Sequence, residues 1–181
     1  MLIACHAGVN RQLVRNDRGV LRFVVQKTII YTDGGCHGNP GPGAWAYVAV
    51  DGDGEGRRIA HEAAGGALQT TNNQMELDAV IHGLTWVSSS HGTDHPVIVR
   101  TDSQYVRNGI TSWIHTWMKN GWRTSNRSPV KNRERWQALH ELASCLSVSW
   151  EWVRGHAGDE LNERCDSLVQ QAIRDLDSRA Q

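Results

Sequence analysis

The chain of 181 residues has the length of a single folded domain. It carries 19 Lys and Arg against 19 Asp and Glu, and its 39% of apolar residues allow an ordinary core, which excludes a disordered polyelectrolyte. No apolar run approaches the roughly 20 residues that span a bilayer, so we expect no membrane segment. A zero net charge argues against a nucleic-acid partner only if the charges are evenly spread. One bias stands out, because the chain has eight Trp but one Phe and three Tyr.

The cysteines and the N-terminal stretch carry no recognisable site. Four cysteines are scattered without a C-x-x-C pair or a zinc-type Cys/His spacing, which favours reduced thiols and a cytoplasmic protein. Residues 1–26 hold four Arg and one Asp. They form either a small hairpin around the turn at 16–19 or a disordered basic extension. We therefore predict an extension over 1–26, a folded domain over 27–176 and a tail over 177–181.

The predicted elements of the folded domain begin with an antiparallel meander. Three strands are predicted in chain order, at 27–33, 44–50 and 57–63, with turn signals at 38–43 and 51–54. Thr71 followed by Gln74 is a capping box, and apolar residues then recur at helical spacing.

The second half of the domain alternates between helices and strands. We predict a buried strand at 96–101, a helical stretch from Ser103, an amphipathic helix at 131–145, a strand at 148–153 and a closing helix at 159–176. Three hairpin strands followed by such an alternation predict an α/β fold, a mixed sheet with helices on its faces.

Four carboxylates lie at the ends or on the inner faces of these elements. Asp33 ends the first strand of the domain and Asp102 follows the strand at 96–101. Glu76 lies in the first turns of a helix, and Asp166 lies within the last helix. Each also has a purely structural interpretation. Asp33 is compatible with a turn, Glu76 with an interaction with the helix dipole and Asp102 with a helix N-cap.

The spacing of two of these carboxylates favours a metal site. Glu76 shares a helix face with apolar Val80 and Leu84, and Asp166 shares one with Asn162 and Val169. A carboxylate beside a core-facing stripe is costly unless a cation neutralises it. Oxygen ligands without Cys or His suit Mg²⁺ or Mn²⁺. From spacing alone, the structural and the metal-binding interpretations both stay open.

Five motifs in order resemble those of bacterial type 1 ribonuclease H. They are YTDGGCHGNPGPG at 31–43, TTNNQMEL at 70–77, TDSQYV at 101–106, GHAG at 155–158 and NERCD at 162–166. The resemblance runs from about residue 27 to residue 173. It implies the ribonuclease H fold, a five-stranded mixed sheet whose first three strands are antiparallel, with helices on both faces.

The resemblance also implies an activity and a catalytic set. The family cleaves the RNA strand of RNA/DNA hybrids endonucleolytically and leaves 5′-phosphate and 3′-hydroxyl ends. Its four metal-binding carboxylates correspond to Asp33, Glu76, Asp102 and Asp166, with Asp33 expected to bridge two Mg²⁺ ions, for which Mn²⁺ can substitute. Such ions, about 3.5–4 Å apart, activate the attacking water and stabilise the leaving oxygen. The family's mobile histidine corresponds to His156, which can transfer a proton near neutral pH.

Contacts with the hybrid follow from the same resemblance. The side chains of Asn39, Asn72 and Gln104 would read the minor groove, together with backbone around Cys36 and Gly38. Thr71 would hold a DNA phosphate, and Asn162 is a further candidate contact. Gly35 departs from the family, where Ser is frequent, and we expect little consequence.

Half of the tryptophans fall in residues 113–136, a segment that contains six Lys and Arg residues and one acidic residue. The resemblance implies a basic protrusion that grips the DNA strand. The candidates are Trp113, Trp117, Lys119, Trp122 and Arg123. Alternatively, the tryptophans anchor helices in the core and the cations form a solvated face. We expect both interpretations to hold in part, with some of the tryptophans packed and Trp122 more exposed. The segment Met118-Lys119-Asn120 is less basic than in the family, so the grip should be weaker.

The leading hypothesis is thus a Mg²⁺-dependent endoribonuclease that acts on RNA/DNA hybrids as a cytoplasmic monomer. A nuclease or strand-transfer enzyme of the same fold that acts on DNA is the main rival. A catalytically inactive nucleic-acid-binding module is a third alternative, against which the presence of all four carboxylates argues.

Overall fold

The computed structural model describes residues 11–15, 21–25, 27–52, 57–155 and 158–179. Its strands are β1 (Arg11–Arg15), β2 (Leu21–Val25), β3 (Thr28–Cys36), β4 (Gly41–Asp51), β5 (Arg58–Thr70), β6 (Pro96–Thr101) and β7 (Ser147–Trp152). Its α-helices are α1 (Asn72–His91), α2 (Gln104–Asn108), α3 (Ile114–Lys119), α4 (Arg133–Cys145) and α5 (Glu160–Arg179). A π-helical turn, Gly109–Trp113, joins α2 to α3.

Five strands form one mixed sheet in the order β5-β4-β3-β6-β7. Strand β4 is antiparallel to both β5 and β3, whereas β6 runs parallel to both β3 and β7. The predicted fold is therefore confirmed. Separately, β1 and β2 form a two-stranded antiparallel ladder in which Arg11 lies opposite Val25. The division of the chain into an extension, a domain and a tail stays a prediction.

The two faces of the sheet are covered by different helices because side chains alternate along each strand. On β3, Ile30 belongs to the main core, which it shares with Leu77 of α1 and Trp136 of α4. Tyr31, the next residue along the strand, packs on the opposite side with Cys165 of α5. Helices therefore lie on both faces, as predicted.

Three strands are longer than the sequence pattern predicts. β3 continues through Gly34 and Gly35 to Cys36, because these glycines pair with Trp45 and Ala44 of β4. β5 likewise extends to Thr70 through a small-residue stretch that pairs with β4. Local propensity underrates such glycine-rich segments, since tertiary pairing alone supplies their hydrogen bonds.

Among the described residues, no helix is long and apolar enough to cross a membrane.

Candidate metal centre and nucleic-acid surface

Three of the four predicted carboxylates converge at one edge of the sheet. Asp33, Glu76 and Asp102 each offer an oxygen atom, and these atoms lie within 4.8 Å of one another. Parallel pairing explains part of this convergence, because Thr32 of β3 lies opposite Thr101 of β6. The residue after each of these threonines is a carboxylate, so Asp33 and Asp102 lie side by side.

Gly34 allows the third carboxylate to reach the other two. A Cβ atom on Gly34 would lie 2.3 Å from the Glu76 backbone nitrogen and 2.3 Å from the Met75 carbonyl carbon. Only a residue without a side chain therefore lets the first turns of α1 pack against β3 at this point. This role of Gly34 was not predicted from the sequence, although a glycine directly after an aspartate at the end of a strand was a signal for it.

The structural interpretations of Asp33 and Asp102 are wrong. Asp33 lies within β3 and not in a turn, and its Oδ1 accepts a hydrogen bond of 2.8 Å from the Gly34 amide. The N-cap of α2 is Ser103, whose hydroxyl accepts from the Val106 amide. Asp102 is thus not needed to cap the helix, and its carboxylate belongs to the cluster.

Glu76 is the fifth residue of α1 and lies beyond the helix's first turn, which has no acidic residue. Its Oε2 is buried and has no hydrogen-bond partner in the part of the chain that the structure describes. Burial, followed by the charges of Asp33 and Asp102, raises the pKa of Glu76 well above its ordinary value. These oxygen donors, one of them buried and unpartnered, fit a hard divalent cation such as Mg²⁺ or Mn²⁺.

Cys165 lies nearby but is not suited to be a metal ligand. Its thiol is buried and donates a 3.3 Å hydrogen bond to the Tyr31 carbonyl. Burial is also the main reason why the pKa of this thiol is raised, so it stays protonated. The candidate metal-binding group is therefore built from oxygen atoms alone.

Asp166, the fourth predicted carboxylate, is not part of this cluster. Asp166 follows Cys165 on α5. Cys165 contacts Tyr31, which lies two residues before Asp33 on β3, so this turn of α5 packs close to the strand that carries Asp33. His156 lies outside the described residues.

The residues expected to read the hybrid are exposed around the β3–β4 turn and the start of two helices. Asn39, Asn72 and Gln104 are exposed. The Cys36 amide donates a 2.7 Å hydrogen bond to Asn72 Oδ1, which ties the turn to α1. Gly38 accepts from the Cys36 thiol through its carbonyl and has a φ of 76°, which favours glycine. The structure thus presents these groups on one edge, next to the carboxylates.

Thr71 and Asn162 have structural roles or positions of their own. Thr71 caps α1, and the predicted capping box with Gln74 is present in both directions. Asn162 is only 5% exposed, and its Oδ1 has no partner among the described residues. Its burial does not match the predicted contact with substrate, because α5 turns this residue towards the sheet.

The tryptophans of residues 113–136 mostly pack against one another. Trp136 is fully buried, Trp117 lies between it and Trp113, and Trp113 is 40% exposed. The expectation that Trp122 is the more exposed ring is wrong. Its ring packs against the main core and lies under the Arg133 guanidinium, 6.0 Å from the ring centroid.

The cations of this segment face solvent, with one exception. Arg135 forms a bidentate ion pair with Asp78 of α1, at 2.7 and 3.1 Å. The other five are exposed, namely Lys119, Arg123, Arg127, Lys131 and Arg133. An open cavity of about 540 Å³ is lined by Arg123 and Arg127, among others. Exposed cations around a cavity suit a polyanion.

Together, the sheet, the carboxylate cluster and the exposed cations define a metal-dependent hydrolase of nucleic acids. The ribonuclease H family model matches residues 25–174, so the chain belongs to the ribonuclease H family. The predicted family and enzyme class, a hydrolase of phosphodiester bonds, are confirmed.

Similar proteins support this assignment at both the sequence and the structure level. Ribonuclease H of Treponema pallidum is 53% identical over 154 residues, which cover 80% of this chain and 89% of the relative. Ribonuclease H of Anaplasma marginale is 52% identical over 143 residues, 79% of this chain and 88% of the relative. Among solved structures, LC9-RNase H1, a type 1 enzyme with the type 2 active-site motif, matches with a TM-score of 0.71 and 31% identity over 82% of this chain and 72% of its own. LC11-RNase H1 in complex with RNA/DNA hybrid matches with a TM-score of 0.60 and 26% identity over 82% and 98%.

Proposed function

We propose that this ribonuclease H hydrolyses the RNA strand of RNA/DNA hybrids with two Mg²⁺ ions held by Asp33, Glu76, Asp102 and Asp166. Bound there, the ions would supply an activated water and a stabilised leaving 3′-oxygen, which yields 5′-phosphate and 3′-hydroxyl ends. The observation that carries the proposal is the buried, unpartnered Glu76 Oε2 within a group of three carboxylates. Mn²⁺ fits the same donors.

The chain's own residues would hold the reacting groups in place. Asp33 lies on the middle strand of the sheet, and an oxygen of its carboxylate lies within 4.8 Å of oxygens of Glu76 and Asp102. The Gly34 amide orients its carboxylate. Because a strand and a long helix carry these ligands, little reorganisation is required when substrate binds. Because it lies on the middle strand of the sheet, Asp33 is the residue that would hold both ions.

His156 would move a proton during the reaction. An ordinary imidazole changes its charge near neutral pH. His156 directly follows in sequence Gly155, whose backbone lies against the Asp102 carboxylate. It would accept or release a proton at the attacking water or the departing 3′-oxygen. Asp166, on the first half of α5, would complete the ligand set.

Discrimination of the hybrid would reside in the exposed amides beside the carboxylates. Asn39, Asn72 and Gln104 both donate and accept hydrogen bonds, which suits 2′-hydroxyls and base edges in a minor groove. The Cys36–Asn72 hydrogen bond holds two of the three contact segments together. Thr71, at the N-terminus of α1, would approach a DNA phosphate. The hybrid complex of LC11-RNase H1 supports this substrate.

The exposed cations would bind the DNA strand some distance from the site of cleavage. Lys119 and Arg123 would contact phosphates, and Trp113, with its 40% exposed ring, is better placed than Trp122 to pack against a sugar. Met118 and Asn120 add no charge, so the salt dependence of binding should be shallow. A cytoplasmic location and a monomeric state stay predictions.

A cleavage assay with three duplexes tests the proposal. Purified full-length protein is incubated with RNA/DNA hybrid, double-stranded RNA and double-stranded DNA, each with Mg²⁺ and with EDTA. We expect cleavage of the hybrid alone and only with metal. Cleavage of DNA would favour the rival nuclease, and binding without cleavage would favour an inactive module.

The matched variant for this assay is Asp102→Asn, which removes one charge without changing the shape of the side chain. We expect it to abolish cleavage while hybrid binding with metal stays largely intact. Substantial turnover by this variant in a clean preparation would contradict the assignment of Asp102 as a ligand.

A further inference from the structure

The end of β7 holds the backbone of Asp102 from one side. The indole Nε1 of Trp152 donates a 3.0 Å hydrogen bond to the Asp102 carbonyl. The Val153 amide donates to the Thr101 carbonyl at 3.1 Å, so the ladder between β6 and β7 continues to the residue just before Asp102. The last pair of the β6–β7 ladder is Thr101 with Trp152. The Trp152 indole adds a hydrogen bond to the next residue, Asp102.

Gly155 lies against the carboxylate of the same residue. A Cβ atom at this position would lie 2.6 Å from Asp102 Oδ2, closer than carbon and oxygen atoms approach without bonding. The φ of Gly155 is not in the left-handed region, so its lack of a side chain is a matter of space and not of backbone conformation. Because Gly155 has no side chain, the Asp102 carboxylate can occupy the space beside it.

Asp102 needs such support more than its neighbours in the cluster. Asp33 lies within β3 and pairs with Ala46 of β4, and Glu76 lies in the second turn of a 20-residue helix. Asp102 instead lies between the end of β6 and the start of the five-residue helix α2. Mg²⁺ demands near-ideal octahedral geometry at about 2.0–2.1 Å, so a small displacement of one carboxylate weakens its binding.

We propose that Trp152 and Gly155 are positioning residues that hold Asp102 in the geometry required for metal binding. Trp152 orients the backbone through the Asp102 carbonyl, and Gly155 leaves the space that keeps the carboxylate turned towards Asp33 and Glu76. The proposal rests on the proposed function, since it assumes that the three carboxylates bind metal.

The first test compares Trp152→Phe with Trp150→Phe. Phenylalanine keeps an aromatic ring but removes the indole donor. Trp150, two residues earlier on β7, packs against the main core and serves as the matched control. Mg²⁺ and Mn²⁺ titrations of the full-length proteins by calorimetry should show metal binding weakened about 3- to 10-fold in Trp152→Phe only, which is the effect of losing one hydrogen bond.

Kinetics separate positioning from direct contact with substrate, because the Trp152 ring is 43% exposed. If Trp152 acts through Asp102, kcat at limiting Mg²⁺ falls, excess Mg²⁺ restores it, and KM for the hybrid is unchanged. A raised KM with unchanged metal affinity would overturn the proposal and make Trp152 a substrate contact.

The second test compares Gly155→Ala with Gly35→Ala. A Cβ on Gly35 meets its nearest neighbour, Val169 Cγ1, at 3.5 Å, which is ordinary contact. We expect Gly155→Ala to fold normally, because the Asp102 side chain can turn away, but to bind metal at least 10-fold more weakly than Gly35→Ala. Equal affinities in the two variants would overturn the role of Gly155.

Metal titration of the wild-type protein tests the proposed metal site separately from the positioning role of Trp152 and Gly155. If wild-type protein binds metal and Asp102→Asn does not, the proposed function stands and the variants above decide the positioning role. If wild-type protein binds no metal, or Asp102→Asn binds it equally well, the proposed metal site itself is wrong.

Discussion

Replacing Glu76 by Gln should stabilise the metal-free protein while destroying its response to metal. The substitution keeps the size of the side chain and removes its charge. In the folded protein, Glu76 Oε2 is buried, and an oxygen of this carboxylate lies within 4.8 Å of oxygens of Asp33 and Asp102. In the unfolded chain all three groups are solvated. The charge of Glu76 therefore opposes folding unless a cation is bound.

The magnitude follows from Coulomb's law. Two unit charges 4.8 Å apart, the upper limit of the observed separations, repel by about 3.5 kcal/mol at an effective dielectric constant of 20. Protonation of Glu76 and movement of the side chains relieve part of this repulsion. We expect Glu76→Gln to gain about 1–3 kcal/mol at pH 7, or roughly 2–4 °C in Tm for each kcal/mol in a protein of this size.

The pH dependence of the gain has a definite sign. The pKa of Glu76 is raised from 4.5 in the folded state, so below pH 4.5 the group is protonated in both states and opposes folding little. Above pH 4.5 the unfolded chain ionises first, and the wild-type protein loses stability until the pH passes the folded-state pKa. The difference between variant and wild type should therefore be small near pH 4 and largest at neutral pH.

Thermal unfolding in EDTA, from pH 4 to pH 8, measures this difference. Glu141→Gln, which changes an exposed carboxylate of α4, is the control and should shift stability by less than about 0.5 kcal/mol. Addition of Mg²⁺ at about 100 times its Kd should stabilise wild type by about 2.7 kcal/mol and Glu76→Gln far less. A Glu76→Gln protein that is less stable than wild type in EDTA at pH 7 would refute the reasoning.

Three further predictions concern the glycine contact, the histidine and the cations. Gly34→Ala should cost about 1–3 kcal/mol of stability and weaken metal binding, because α1 must withdraw from β3; Gly35→Ala should do neither in the same melts and titrations. His156→Ala should slow hybrid cleavage by roughly 10–100-fold without abolishing it, and an unchanged kcat would exclude proton transfer by this residue. Lys119→Ala with Arg123→Ala should reduce the slope of log Kd against log salt for hybrid by about 1 per lost phosphate contact, and an unaltered slope would place the DNA strand elsewhere.

Local pattern was sufficient for most of the elements. The strand at 96–101 has the predicted bounds, and the capping box of Thr71 and Gln74 begins α1 as predicted. Both signals depend on neighbours within a few residues, since a buried strand needs an apolar run and a cap needs one side chain beside free amides. The five motifs likewise carried the family, because they lie in order along the chain.

Long-range packing decided the features that local pattern misjudged. Trp122 has a φ of 62°, and its carbonyl accepts from the Val130 amide, so its ring turns inwards beneath Arg133. Asn162 is buried because α5 packs against the sheet. The orientation of Trp122 depends on contacts distant in sequence, so no periodicity indicates it. The burial of Asn162 agrees with its helical spacing to Val169, and the predicted contact with substrate came from the family resemblance instead.

The sequence by itself determined which carboxylates were candidates, and only the tertiary structure decided what they do. Asp33, Glu76 and Asp102 are separated by 43 and 26 positions along the chain, and each had an adequate local explanation. Parallel pairing of β3 with β6, and the close approach of α1 over Gly34, bring them within 4.8 Å. Mutual repulsion at that distance is a property of the assembled fold, because in the unfolded chain water separates and screens the same charges.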